Sequence, residues 1–229
     1  TFTKAKELAG NDGKIVIKGI ITIDSTESWT DARIERGFTS QFSEFAELIK
    51  ITPTGSLTLS NIEIDGKKET YKSSQNRMIR MDGTGQLYIQ DGTVIKNAYS
   101  EAISTTMNSN VRIVMTGGKI TNGGDFVTNE GVIVLRGGEF EMTGGSIENN
   151  TSIGILIDED SKAYVKGNAV IRGNGNILDP SLPSFKVLRG GGILLGSHEA
   201  YLEVSENALI DGNTSLNNGG GICNTAGGK

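Results

Sequence analysis

Two carboxylates, Glu139 and Glu141, have the spacing to do acid–base work. They lie two residues apart in Glu139-Phe140-Glu141-Met142. Alternate residues of an extended chain share a face, so both acids point one way while Phe140 and Met142 point the other. Paired carboxylic groups of this kind can flank a glycosidic bond as acid and base or nucleophile. Three tyrosines, Tyr88, Tyr164 and Tyr201, fall at outward positions of similar alternating stretches. Their ring faces could stack on the apolar face of a sugar, although β propensity alone also accounts for them. Asp158-Glu159-Asp160 supplies oxygens suited to Ca²⁺. It follows a strand and precedes Ser161-Lys162, so it reads as a turn.

Other chemistries find no support. His198 is the single histidine and Cys223 the single cysteine. A His/Cys metal site needs more ligands than these, and no intrachain disulfide can form. His198 sits in the polar turn Gly196-Ser197-His198-Glu199, which suits a surface loop better than a catalytic triad. Glycine pairs lie between strands rather than before a helix, so no phosphate loop is present. No metal or cofactor is expected. The net charge of -5 and the lack of a basic stripe exclude nucleic acid as a partner. The densest basic stretch, Lys67, Lys68, Lys72, Arg77 and Arg80, reads as a solvated loop in so acidic a chain. No run approaches the length of a membrane span.

The elements that must position these groups form a repeat. Gly accounts for 32 of 229 residues and Pro for 3, which disfavours helices and collagen and suits many tight turns. One pattern recurs six times: two apolar residues flanking an outward one, a short polar turn, an isoleucine, then Asn or Gly. The copies are Leu57-Thr58-Leu59 with Ile64, Leu87-Tyr88-Ile89 with Ile95, and Ile113-Val114-Met115 with Ile120. They continue as Phe140-Glu141-Met142 with Ile147, Ala163-Tyr164-Val165 with Ile171, and Leu202-Glu203-Val204 with Ile210. The motif keeps its length while the remainder of each unit varies, as in a rigid coil that takes insertions on particular faces. A further strand falls between motifs, as in Val132-Ile133-Val134-Leu135 and Ile153-Gly154-Ile155-Leu156-Ile157.

The repeating unit is thus a whole coil of about three short strands. A stacked solenoid fits better than an antiparallel sandwich, because like residues then form columns. One inward column is isoleucine in all six copies. One outward column reads Ser56, Gln86, Arg112, Glu139, Lys162, Tyr201, and another Thr58, Tyr88, Val114, Glu141, Tyr164, Glu203. Opposite charges flank Glu139 in the first, which points to a solvated charge ladder rather than a catalytic acid. Asn97, Asn122 and Asn149 share a turn column, with Asn174 and Asn213 one place further on. Two readings stay open for them: an asparagine ladder, or tolerance of the left-handed turn conformation.

Residues 1-50 are assigned to an N-terminal cap and first coil, and 51-229 to the coils. Residues 3-9 read as a helix with Thr3 as N-cap and Gly10 as its stop. Residues 41-50 fit a helical turn or an edge strand. Pro180 and Pro183 mark 176-190 as a protruding loop. The chain opens at Thr1 without a signal sequence and ends just after the apparent start of another coil. A longer parent protein is therefore expected, with any signal or anchor outside this segment.

Gly190-Gly191-Gly192-Ile193 and Gly219-Gly220-Gly221-Ile222, together with the stretch Val204 to Asn213, resemble right-handed parallel β-helix repeats of large bacterial adhesins and adhesin-like proteins. Gly13-Lys14-Ile15-Val16-Ile17 and Leu57 to Gly66 are similar to the first coils of pectate-lyase-like domains. The resemblance implies an all-β, right-handed parallel β-helix of about seven to eight coils with a short N-terminal helical cap. It further implies a non-catalytic segment at the bacterial surface or secreted that binds a host surface protein or a glycan; the outward columns make Glu139, Glu141, Tyr88, Tyr164 and Tyr201 the candidate ligand-binding residues, and a monomer is expected. The same fold hosts polysaccharide lyases and glycoside hydrolases, which is the alternative function.

Overall fold

The computed structural model describes residues 2–10, 13–40, 45–124, 131–175, 190–216 and 218–229. Among the described residues it is a parallel β-solenoid of one helix and 21 strands in two sheets, one of 13 strands and one of 8. Each full turn of the chain, here called a rung, carries strands in three positions, a, b and c. The motif repeats supply a and b, as in Glu139–Met142 and Ser146–Glu148, and the strand between motifs supplies c, as in Ile153–Ile157. All strand pairing is between neighbouring rungs and parallel. The eight c strands, Ile21–Ile23 to Ile222–Asn224, define eight rungs.

Every column read from the sequence is present in register, and the isoleucine column is longer than six. Ile15 and Ile34 precede Ile64, Ile95, Ile120, Ile147, Ile171 and Ile210, so position b is isoleucine in all eight rungs. A second such column fills position c: Ile21, Ile49, Ile79, Ile103, Ile133, Ile155, Ile193 and Ile222. A β-branched side chain repeated at the strand spacing of about 4.8 Å packs against its own copy above and below. Burying each one contributes about 1.5–3 kcal/mol. The c strands Gly131–Leu135 and Ile153–Ile157 are buried on both faces, as parallel strands often are.

The first rungs depart from the motif. The helix Phe2–Ala9 takes the place of the first a strand, and the ring of Phe2 stacks on Trp29 at 4.6 Å. Thr3 lies inside this helix rather than capping it, while Gly10 ends it with φ 68° and an amide bonded to the Lys6 carbonyl. Rung 2 is one long strand, Thr26–Arg36, that runs through positions a and b beside Ser56–Asp65. At position a its inward residues are Glu27 and Trp29, beside Leu57 and Leu59 of the next rung, while Ile34 keeps the isoleucine of position b. Glu27 is accommodated because its carboxylate accepts the Trp29 indole N–H at 2.6 Å. Of the undecided stretch 41-50, residues 49 and 50 open the c strand Ile49–Ile51, and 41–44 lie outside the described residues. The 176-190 insertion lies outside them too, apart from Gly190.

The asparagines do two different things. Asn97, Asn122 and Asn149 have φ of 57°, 53° and 55°, and Gly173 and Gly212 continue this left-handed column at 61° and 58°. Asn122 also donates to Asn97 at 2.6 Å, and Asn97 to Asp65 at 2.8 Å. One residue further on, a separate ladder runs through the wall: Asn150 and Asn174 are fully buried, and Asn213 in the last rung is half-buried. Asn150 Nδ2 donates to Asn174 Oδ1 at 2.7 Å and Asn174 Nδ2 to Asn213 Oδ1 at 2.9 Å. Each amide also donates to an isoleucine carbonyl, of Ile120, Ile147 and Ile171 in turn. Each Oδ1 accepts a backbone N–H as well, from Gly123, Asn150 and Asn174. Asn174 and Asn213 therefore belong with Asn150, not with Asn149.

Candidate binding face

The outward side of the a and b strands holds the predicted site residues. Glu139 and Glu141 project from Glu139–Met142 while Phe140 and Met142 enter the core. Arg112, Ile113, Glu139, Glu141, Tyr164 and Lys166 line a shallow cleft of about 220 Å³. Glu141 sits between two cations, Arg112 at 3.3 Å and Lys166 at 2.9 Å. Glu139 pairs with Lys162 at 3.5 Å. Arg112 thus serves Glu141 on the diagonal and not Glu139 in its own column. The hydrogen bond from Lys166 to Glu141, reinforced by that negative charge, holds the Lys166 ammonium above its ordinary pKa.

The clamp of one carboxylate by two cations recurs along the sheet. Glu63 lies between Arg33 at 3.5 Å and Lys96 at 2.9 Å. Glu148 lies between Lys119 at 2.7 Å and Arg172 at 2.8 Å. Burial pushes the Glu148 carboxyl up, but hydrogen bonds from Lys119 and Arg172, and then their charges, outweigh it and hold the group below the usual glutamate range. Glutamates of this sheet therefore cross-link rungs. General acid catalysis asks for a carboxyl that holds a proton near neutral pH. The cations flanking Glu148 favour the opposite, ionised form.

The tyrosines are placed unequally. Tyr164 and Tyr201 stand in different columns of adjacent rungs, yet their rings meet on the diagonal, with centroids 5.7 Å apart and planes tilted by 51°. Reading down each column separately hides this contact. Tyr88 lies three rungs from Tyr164, about 14 Å along the axis at one strand spacing per rung. Its hydroxyl donates to Gln86 at 2.8 Å. The structure thus assembles Glu139, Glu141, Tyr164 and Tyr201 into one patch and leaves Tyr88 apart. Asp158, Glu159 and Asp160 form a turn with Glu159 at φ 51°. Among the described residues no three His, Cys, Asp or Glu side chains are grouped to hold a metal. No described helix is long and apolar enough to cross a membrane.

A polar network that sequence reasoning missed lies on the other side of the solenoid. Arg77 and Arg80, expected in a solvated loop, flank and enter the c strand Ile79–Met81 and are paired. Arg77 Nε contacts the buried Glu101 at 3.0 Å, and Arg80 contacts the buried Glu47 at 2.9 Å. Phe45 covers the Arg77 guanidinium at 3.8 Å. Arg36 is buried, donates to the carbonyls of Ala46 and Arg77, and is lowered to about 10 by desolvation. Glu47, Arg77 and Glu101 each precede a c-column isoleucine by two residues. That alternating-charge column was the available signal.

Fold and face together define a parallel β-solenoid whose outer sheet is cross-linked by clamped carboxylates and carries a tyrosine pair. No family model matches the chain, and no curated protein or solved structure matches it.

Proposed function

We propose that this chain is a non-catalytic, surface-displayed β-helix segment of a bacterial adhesin, and that it binds a host glycan through the patch around Tyr164 and Tyr201. The observation that carries this reading is the tilted tyrosine pair beside the shallow cleft of Arg112, Glu139, Glu141 and Lys166. Two ring faces set at an angle offer apolar contact to a sugar, and the charged groups beside them offer hydrogen bonds to its hydroxyls. The clamped state of Glu141 and the pairing of Glu139 support a binding role over bond cleavage. Display outside the cell is part of this proposal, and it is supported by the likeness of the repeat pattern to that of bacterial surface proteins.

A glycan array run beside a panel of matrix proteins tests this. Binding to a glycan class is expected, weakened about tenfold by Tyr164→Ala or Tyr201→Ala and unchanged by Tyr88→Ala. Binding that is confined to a matrix protein would redirect the reading to a protein receptor. Release of reducing ends or unsaturated sugars from a polysaccharide, abolished by Glu139→Gln or Glu141→Gln, would replace it with an enzyme.

A further inference from the structure

The cleft beside Tyr164 does not stand alone. A second cleft, of about 270 Å³, opens toward the turns that join position c to position a, and Ser109, Asn110, Glu139, Asp160, Lys162 and Glu199 line it. Glu139 lines both clefts, so they adjoin. Tyr201 is paired in register with Lys162 of the second cleft, and its ring meets Tyr164 of the first. The two clefts and the tyrosine pair thus form one groove that follows the strand direction, across the axis of the solenoid. Their charges differ. In the first, Glu141 is held by Arg112 and Lys166, and Glu139 by Lys162. In the second, Glu139, Asp160 and Glu199 face one ammonium, that of Lys162, which Glu139 already holds at 3.5 Å. Asp160 forms no ion pair among the described residues, although the turns on either side of it, 136–138 and 196–200, are described. A neutral group of the lining is also short of a partner. Ser109 is 8% exposed, and its hydroxyl makes no hydrogen bond among the described residues. Buried hydroxyls are ordinarily paired, and an unpaired one is a standing cost.

We propose that this second cleft takes the ammonium of an amino sugar, so that the glycan held beside Tyr164 and Tyr201 is one with free, non-acetylated amino groups. The inference rests on the glycan reading above and names the class of sugar. Asp160 supplies the countercharge. An ammonium carries three N–H donors, so it can also donate to the Ser109 hydroxyl oxygen and give that buried group its partner. An acetamido group in the same place brings no charge, and its methyl group would displace water from Asp160 and Glu199 without compensation. A uronic acid would set its carboxylate against three others, a juxtaposition that costs affinity. The acidic side chains here are not grouped to hold a metal ion among the described residues. An ammonium asks for less convergence, since one carboxylate and one neutral acceptor satisfy most of its donors.

Two matched tetramers decide it: β-1,4-linked glucosamine and its fully N-acetylated form, each titrated calorimetrically at about pH 6, where sugar amines carry their proton. The free-amine tetramer is expected to bind about fivefold more tightly, the upper scale of an exposed ion pair, and added salt should erase the difference. Asp160→Asn is expected to bring the free-amine form down to the affinity of the acetylated form and to leave the acetylated form unchanged. Ser109→Ala should weaken binding of the free-amine tetramer without lowering the thermal midpoint, because the hydroxyl it removes has no partner within the described protein. A serine with a merely structural role would do the reverse. Tyr164→Ala should weaken both tetramers alike. Circular dichroism establishes that each variant is folded. Equal affinity for the two tetramers, or an Asp160→Asn variant that weakens both alike, overturns the amino-sugar assignment; binding that stays sensitive to Tyr164→Ala then leaves the glycan reading standing. Failure of both tetramers to bind also overturns the assignment, and the glycan array judges the broader reading by itself.

Discussion

Two sets of cross-rung hydrogen bonds run along this solenoid, one sealed in its wall and one open to water. In the sealed set, Asn150 and Asn174, with the half-buried Asn213 at its end, pass amide hydrogen bonds from rung to rung and satisfy backbone groups on the way. In the open set, Glu63 and Glu141 are each held by cations of neighbouring rungs. Both repeat at the same strand spacing and both tie rung to rung. They differ in what water offers once a link is broken. A cut in the buried ladder leaves donors and acceptors short of a partner where water does not reach, whereas a cut in the surface ladder leaves charges that water solvates.

The sharpest way to break this contrast is Asn174→Ala. It leaves the Ile147 carbonyl and the Asn150 amide groups without their partner inside the wall, and a loss of about 3 kcal/mol or more is expected in urea unfolding, since each buried orphan costs about 1–3 kcal/mol. A loss below that of a surface substitution would mean that water enters the wall.

Glu148 lies between the two extremes, because its side chain is only 5% exposed. Glu148→Gln is expected to cost about 1–2 kcal/mol at neutral pH, the scale of charge-assisted bonds. The folded pKa is depressed below the ordinary 4.5, so the contribution is fully present above that value and fades as pH falls through the folded pKa. Unfolding curves of the two proteins should therefore converge in acid. A gap that widens as pH falls contradicts the clamp.

Asn122 separates conformation from hydrogen bonding. With φ at 53°, Asn122→Ala is expected to cost about 1 kcal/mol for the left-handed backbone. Asn122→Gly should restore most of it, since glycine meets no such penalty. If both variants lose equally, the bond to Asn97 carries the stability instead.

The smallest effect is expected at Glu141→Gln: within about 0.5 kcal/mol in thermal unfolding, as for other exposed ion pairs. The difference should disappear at high salt. Measured beside Asn174→Ala, it sets the scale between the wet ladder and the dry one.

Much of this architecture was legible before any coordinates. The repeated motif aligned six rungs and placed Glu139, Glu141 and the tyrosines on the outer face, because strand alternation is a period of two and stacking demands like residues at like positions. The second rung escaped notice because Glu27 and Trp29 stand where the motif asks for aliphatics, and only their mutual hydrogen bond makes that sequence acceptable inside. Asn150 was overlooked beside Asn149, since two adjacent asparagines carry no mark of which one faces the wall. The Tyr164–Tyr201 contact crosses between columns and so depended on the lean of two side chains.

By itself, the order of amino acids determined the inner columns, the rung count to within one, and the sign of charge along each outer column. Those follow from hydrophobic periodicity, which is local and repeats. The tertiary structure alone decided that Arg112 serves Glu141 rather than Glu139, and that Arg77 is held against Glu101 instead of standing in solvent. Ion partners in a solenoid lie a whole rung apart in the chain, and several sit within reach of each long side chain. Which pair forms depends on diagonal geometry and on burial, and neither exists until the rungs have stacked.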